Sequence, residues 1–128
     1  MKKIVTGAMA SLMFTATFAH ADEKFSHFPS EESPNTVVAL CNMAEFNKKL
    51  QAIVNKDAIT PEDMVKVHEL TYTLENAVMR LQKDLETIAV DLEKVHKASE
   101  HLDKKTIHRA GKDYLKATSE LLNKTTCS

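Results

Sequence analysis

The side chains with the most chemical potential in this chain are histidines and carboxylates in its second half. Glu93 and His96 are spaced so that both can reach one ion from the same face of a helix. A turn shortly after them brings His101 and His108 onto facing helices, where imidazole nitrogens and a carboxylate can hold zinc or copper. Charged helix faces near turns also carry such residues as ordinary i,i+4 ion pairs. A metal site at Glu93, His96, His101 and His108 is therefore an alternative interpretation.

The two cysteines, Cys41 and Cys127, are the other reactive groups. An oxidising compartment allows a disulfide within one chain or between two chains, and two free thiols are the third possibility. A bridge within the chain closes a long loop and contributes about 4 kcal/mol. The sequence contains no Cys-x-x-Cys-His, so haem cannot be attached covalently. Met43 or Met79 together with His68 is a possible pair of haem ligands.

The sequence gives no sign of a hydrolase site. No serine or cysteine stands among the glycines that a nucleophile turn requires, and Gly111 is the only glycine after residue 21. We therefore expect no enzymatic activity and no resident cofactor, with zinc, copper or haem as the alternative.

Residues 61–102 form the stretch that must position all these groups. Apolar side chains recur along it at alternating steps of three and four, a heptad pattern that no strand produces. Because no proline or glycine follows Pro61 within it, the stretch predicts one helix on the order of 60 Å long. The central part of the pattern is the predicted interaction seam: Leu74, Val78, Leu81, Leu85, Ile88, Leu92 and Val95.

Two shorter helices flank this long one. Ser33-Pro34 predicts a helix over 34–55, and Thr60-Pro61-Glu62-Asp63 marks the start of the helix over 61–102. The heptad phase breaks after Leu102, which favours a reversal at 101–105 and a third helix over 105–123. The helical domain thus spans 34–124, with a tail at 125–128. The fold class is all-α, with antiparallel helices around one long central helix.

The lengths of the helices predict how they pack. Each short helix spans about 30 Å, half of the central one, so the two fold back from opposite ends and cover one half each. Cys41 and Cys127 then lie near the same mid-point. Each half is only a two-helix layer, which leaves much of the seam exposed for self-association into an antiparallel four-helix bundle. The alternative is a monomer whose bent central helix closes all three into one bundle.

The first residues predict export. Residues 1–21 have a basic start at Lys2 and Lys3, an apolar run over 4–18, and the cleavage pattern Ala19-His20-Ala21. The apolar run is too short for a membrane anchor, so we expect cleavage after Ala21, a periplasmic product and no stable membrane span. Residues 22–33 form an extended lead, in which Phe25 and Phe28 cover exposed core or serve recognition.

The charge of the processed chain argues against a nucleic-acid partner. Removing Lys2 and Lys3 from the 17 basic residues leaves 15 against 18 acidic ones, and nucleic-acid binding calls for a basic surface instead.

One run is distinctive. His68-Glu69-Leu70-Thr71-Tyr72-Thr73-Leu74-Glu75-Asn76-Ala77, together with Leu85-Glu86 and the segment at 95–100, resembles a family of small exported proteobacterial helical proteins of unknown function. The likeness covers about residues 25–121. It implies a secreted helical fold and supplies no activity, cofactor or partner. Within the run we hypothesise that Thr71, His68 and Glu75 make a polar contact across helices that fixes their register.

The sequence as a whole predicts a periplasmic, non-enzymatic helical protein that forms a homo-oligomer or binds an envelope partner. The alternative is a metal- or haem-binding helical bundle that uses the histidines.

Overall fold

A computed structural model of the protein describes residues 29–123 and 126–127. They form α1 (Thr36–Val54), α2 (Pro61–Glu100) and α3 (Lys104–Leu122), and this part of the chain contains no strand. The all-α prediction is confirmed, and the helix ends lie within two residues of the predicted ones. The predicted signal peptide with Ala21, and the two phenylalanines of the lead, lie outside the described residues.

The start of α2 is fixed by reciprocal hydrogen bonds. The Thr60 hydroxyl accepts from the backbone N–H of Asp63 at 3.2 Å, and the Asp63 carboxylate accepts from the N–H of Thr60 at 3.2 Å. Lys56, in the link from α1, donates to the same carboxylate at 2.6 Å. Because Asp63 is only 2 % exposed, this contact ties the link to the first turn of α2.

The reversal between α2 and α3 occurs where it was predicted. Leu102, however, is not the last residue of α2. Leu102 has a φ of 56°, in the left-handed region, and α2 already ends at Glu100. The N–H of Asp103 donates to the carbonyl of Ala98 at 2.9 Å, and that of Leu102 donates to Ser99 at 3.3 Å. These two bonds form a C-terminal cap that usually requires glycine.

The short helices pack on α2 from its two ends. Thr36, at the start of α1, donates to Asp84 near the middle of α2 at 2.8 Å, and α1 runs back from there toward the start of α2. The helix α3 covers the other half of α2, and α1 and α3 barely touch each other. The structure therefore has two helical layers end to end: α1 with the first half of α2, and α3 with the second half. The alternative of one closed three-helix bundle is wrong.

Small side chains form most of the buried apolar core. Four alanines are at most 6 % exposed, and among the residues that the structure describes the larger members are Ile53 and Ile88. Alanine allows two helix backbones to approach closely, and it buries little apolar area per residue. The alanines are Ala39, Ala77, Ala98 and Ala110.

A disulfide joins the two layers. Cys41 in α1 is bonded to Cys127 beyond the end of α3, with a Cα–Cα distance of 5.5 Å. Of the three states that the sequence left open, the structure has the bridge within one chain. It links the two helices that otherwise have little contact.

No helix among the described residues is both long enough and apolar enough to cross a membrane.

Candidate interaction surface

The heptad pattern of α2 divides into two rows with different roles. We define the inner row as Val67, Leu74, Leu81, Ile88 and Val95, and the outer row as Met64, Thr71, Val78, Leu85, Leu92 and Ser99. Inner-row side chains are buried or half-buried. The apolar members of the outer row are 43–62 % exposed. The predicted seam is thus half internal packing and half open surface.

The buried face of α2 does not coincide with the outer row, and it includes small residues. Thr73 is 1 % exposed, Ala77 is 0 % exposed and Ala98 is 6 % exposed, and none of them belongs to the heptad seam. A search for large apolar residues at heptad spacing passes over them. The signal that identifies them is small-residue spacing on one helix face, which permits close helix approach.

An open groove lies on the outer row in the first half of α2. It has a volume of about 320 Å³ and is lined mainly by apolar atoms. Its lining residues are Thr71, Leu74, Glu75, Val78 and Met79.

The segment 30–34, which we call the strap, lies against α2 beside this groove. The N–H of Glu31 donates to the Thr73 hydroxyl at 3.0 Å, and the Asn76 amide donates to the Glu31 carbonyl at 3.1 Å. Arg80 donates to the carbonyl of Pro34. The distinctive sequence run therefore holds the strap through Thr73 and Asn76, two residues that the sequence analysis did not single out.

Thr71 and His68, two of the three residues proposed to make a polar contact across helices, form hydrogen bonds within α2. The Thr71 hydroxyl donates to the carbonyl of His68 in its own helix at 2.8 Å. The Tyr72 hydroxyl and Nε2 of His68 are 3.3 Å apart, also within α2. Because side chains three or four residues apart meet on a helix surface, these contacts are local. The contact that fixes the strap lies on the neighbouring face.

A charged cluster fixes α1 on the middle of α2. Asp84 accepts hydrogen bonds from Thr36 at 2.8 Å and from Nε of Arg80 at 3.0 Å. Burial favours the neutral acid, but the hydrogen bonds from Arg80 and Thr36 outweigh it and hold the pKa of Asp84 below its usual range. The carboxylate therefore stays ionised where the two layers of the molecule meet.

A cleft of about 390 Å³ opens beside this cluster, between α2 and α3. Its lining carries both signs of charge, with Lys83 and Lys116 as well as Asp91 and Asp113. Mixed charge gives no single-sign field that would select an anion or a cation.

The predicted metal ligands do not converge. Glu93 accepts from Lys97 at 3.0 Å, and this contact holds the pKa of Glu93 below its usual range. His96 lies 3.3 Å from Glu100, while His101 caps α2 and His108 is exposed on α3. The described residues contain no group of three or more histidines, cysteines or carboxylates able to hold an ion.

These features define a small, disulfide-linked helical protein whose most distinctive surface is an exposed apolar row on its longest helix. The chain belongs to DUF6746, a family of unknown function, whose family model matches residues 1–123. This match confirms the resemblance seen in the sequence. Searches of curated proteins and of solved structures found no significant match.

Proposed function

We propose that this protein is an exported, non-enzymatic interaction protein that binds through the outer row of α2, either to itself or to another envelope protein. The observation that carries the proposal is the exposure of Val78, Leu85 and Leu92, at 43 %, 54 % and 48 %. Apolar side chains that recur on one face over many turns favour association with another helix.

The dimensions of the row support a helix-binding role. From Met64 to Leu92 it spans 28 residues of uninterrupted α-helix, or about 42 Å. The helices α1 and α3 pack on other faces of α2 and leave this one open over both halves. The row therefore suits an extended helical partner better than a compact ligand.

The disulfide supports the export part of the proposal. Bridges between cysteines persist in oxidising compartments such as the periplasm and are rare in the cytosol. The bridge between Cys41 and Cys127 holds the two helical layers together, so it belongs to the fold. A protein that depends on such a bridge is suited to the cell envelope.

Photo-crosslinking in living cells tests the proposal. Benzoylphenylalanine replaces Leu85 in the outer row or, as the matched control, Val90 on another face of α2, since both side chains are 54 % exposed. We expect a discrete crosslinked product at position 85 and none at position 90. A product of twice the protein mass identifies self-association, and any other discrete mass identifies an envelope partner. If positions 78, 85 and 92 all give no product, the outer row is not a docking surface.

A further inference from the structure

We propose that the exposed face of α3 binds the surface of an anionic phospholipid bilayer, with its lysines at the headgroups and its exposed leucines in the outer part of the apolar layer. This inference concerns a different helix from the outer row and goes beyond the proposed function. It assigns binding to one surface of a membrane, with no part of the helix crossing it.

The charges of the molecule are divided unevenly between its helices. The helix α3 carries five basic residues and two acidic ones, whereas α2 carries five basic and nine acidic ones. With histidine neutral, α3 therefore has a net charge of +3 and α2 a net charge of −4. An anionic surface attracts α3 and repels α2, so it selects one orientation of the molecule.

Four cations of α3 form a row on its exposed side. With about 3.6 residues per turn, they fall within about 60° of one another and span about 16 Å along the helix. All four residues are exposed, and α3 packs against α2 while barely touching α1. The row is therefore open to a partner along its length. Its members, which we call the cation row, are Lys105, Arg109, Lys112 and Lys116.

The cations of α3 are available to an external anion. The ion pairs of the described residues use five lysines and arginines of α1, α2 and the link between them, and in this part of the chain none uses a cation of α3. An anionic surface that binds α3 therefore breaks no existing ion pair. The paired cations are Lys49, Lys56, Arg80, Lys94 and Lys97.

Exposed leucines accompany the cation row and favour a bilayer over a soluble acidic partner. Leu102, Leu115 and Leu122 are the three most exposed large apolar side chains of the described residues, at 82 %, 65 % and 84 %. Leu102 lies just before α3, and the other two lie together on one side of the cation row. A bilayer takes up single protruding leucines without a pocket for each, and basic helices with such leucines lie in the membrane interface.

Vesicle co-sedimentation of the processed protein, residues 22–128, tests the inference. We expect binding to vesicles of equal parts phosphatidylglycerol and phosphatidylcholine, little binding to phosphatidylcholine alone, and release by added salt, which screens the attraction. Each lysine near an anionic surface strengthens binding roughly fivefold, so Lys105→Glu/Lys112→Glu should weaken it by about 25-fold or more. Both new glutamates stand four residues before a cation, at Arg109 and Lys116, so α3 should keep its helix.

The matched control for charge is Lys48→Glu/Lys66→Glu. It makes the same change in net charge at two exposed lysines outside α3, and it should lose far less affinity for the vesicles. Circular dichroism checks that both double variants keep their helices. Equal losses in the two variants would overturn the inference, because binding would then depend on net charge and not on α3. A wild-type protein that binds neither kind of vesicle, or both equally well, would overturn it too.

Leu115→Gln separates a bilayer from a soluble polyanion. Because the leucine leaves water in the bilayer, its replacement should weaken vesicle binding by about tenfold and leave binding to soluble polyglutamate unchanged. The control is Val90→Gln, at an apolar residue 54 % exposed on α2, and it should bind vesicles as the wild type does. Unchanged vesicle affinity in Leu115→Gln would show that α3 attracts polyanions in general, and the assignment to a bilayer would then be wrong.

Discussion

The backbone N–H of Glu31 donates a hydrogen bond of 3.0 Å to the hydroxyl of Thr73, which lies 42 residues further along the chain and is 1 % exposed. This bond joins the strap to the middle of the distinctive run on α2. A hydrogen bond to a buried acceptor contributes modestly when formed and costs more when one partner is removed. Thr73 is thus a structural residue with a specific partner.

Replacing Thr73 by valine should release the strap. The change keeps the shape of the side chain but removes the acceptor, which should lower the free energy of unfolding by about 1 kcal/mol. Urea denaturation measures the loss, and hydrogen exchange should show reduced protection of the Glu31 amide. Thr71→Val is the matched control, because its hydroxyl bonds to a carbonyl of its own helix and to no other described segment. Equal effects of the two substitutions would contradict the role assigned to Thr73.

Local signals made most of the helical framework predictable. Thr60 and Asp63 identify the start of α2 within a few residues of chain, and the heptad pattern identifies its length. The phase break after Leu102 located the reversal even though no glycine or proline marks it. In each case the sequence pattern and the structure it predicts occupy the same few turns.

The contacts that define the candidate site were harder to predict because they join distant segments. No periodic pattern in the sequence predicts the hydrogen bond between Glu31 and Thr73. The heptad pattern likewise shows which residues of α2 are apolar, but not that Leu81 faces α1 and α3 more than Leu85 does. That division follows from where the small residues Ala77 and Ala98 let the other helices approach.

Acid should destabilise the protein partly through Asp84. Its pKa is lower in the folded chain than in the unfolded chain, so the stabilisation is complete above the unfolded value near pH 4 and is lost as the pH falls through the folded value. Asp84→Asn should lower the free energy of unfolding at pH 7 by about 2 kcal/mol. It should also reduce the difference in stability between pH 7 and pH 3.

Thermal and urea unfolding at both pH values check this. The control is Asp113→Asn, an exposed carboxylate at the same cleft with no hydrogen bond to any other described side chain. It should leave the pH dependence close to that of the wild-type protein. An Asp84→Asn variant that loses as much stability on acidification as the wild type would show that this carboxylate is not responsible.

Removing the disulfide should lower the free energy of unfolding, because the two helical layers lose the covalent bond that joins them. The bridge joins residues 86 apart in sequence, and a loop of this size predicts a loss of about 4 kcal/mol in the chain-entropy account. The double substitution Cys41→Ser/Cys127→Ser should therefore shift the urea midpoint well below that of the oxidised protein. Reductant should lower the wild-type midpoint to a similar value and leave the variant unchanged. If reduction leaves the wild-type midpoint unaltered, the bridge does not stabilise the fold.

Glycine at position 102 should stabilise the turn between α2 and α3. Leu102 holds a φ of 56° and its side chain is 82 % exposed, so Leu102→Gly relieves backbone strain and loses little packing. The expected gain is about 1 kcal/mol, measured by urea denaturation. The matched control is His101→Gly, where φ is −100° and glycine offers no such relief. That variant should be no more stable than the wild type, and a gain of equal size there would argue against strain at Leu102.

Alanine at position 111 should stabilise α3 and its packing on α2. A Cβ placed on Gly111 would lie 3.9 Å from Cγ2 of Val95 in the inner row, which is ordinary van der Waals contact. Glycine in a helix interior costs about 1 kcal/mol relative to alanine, so Gly111→Ala should raise the free energy of unfolding by up to that amount. The reverse change at the neighbouring buried site, Ala110→Gly, should lower it, because Ala110 is 2 % exposed and loses both packing and helix propensity. Urea denaturation of both variants gives the two signs. A loss of stability in Gly111→Ala would mean that the added Cβ lies closer to Val95 than 3.9 Å, and that α3 packs on the inner row too tightly to accept a methyl group.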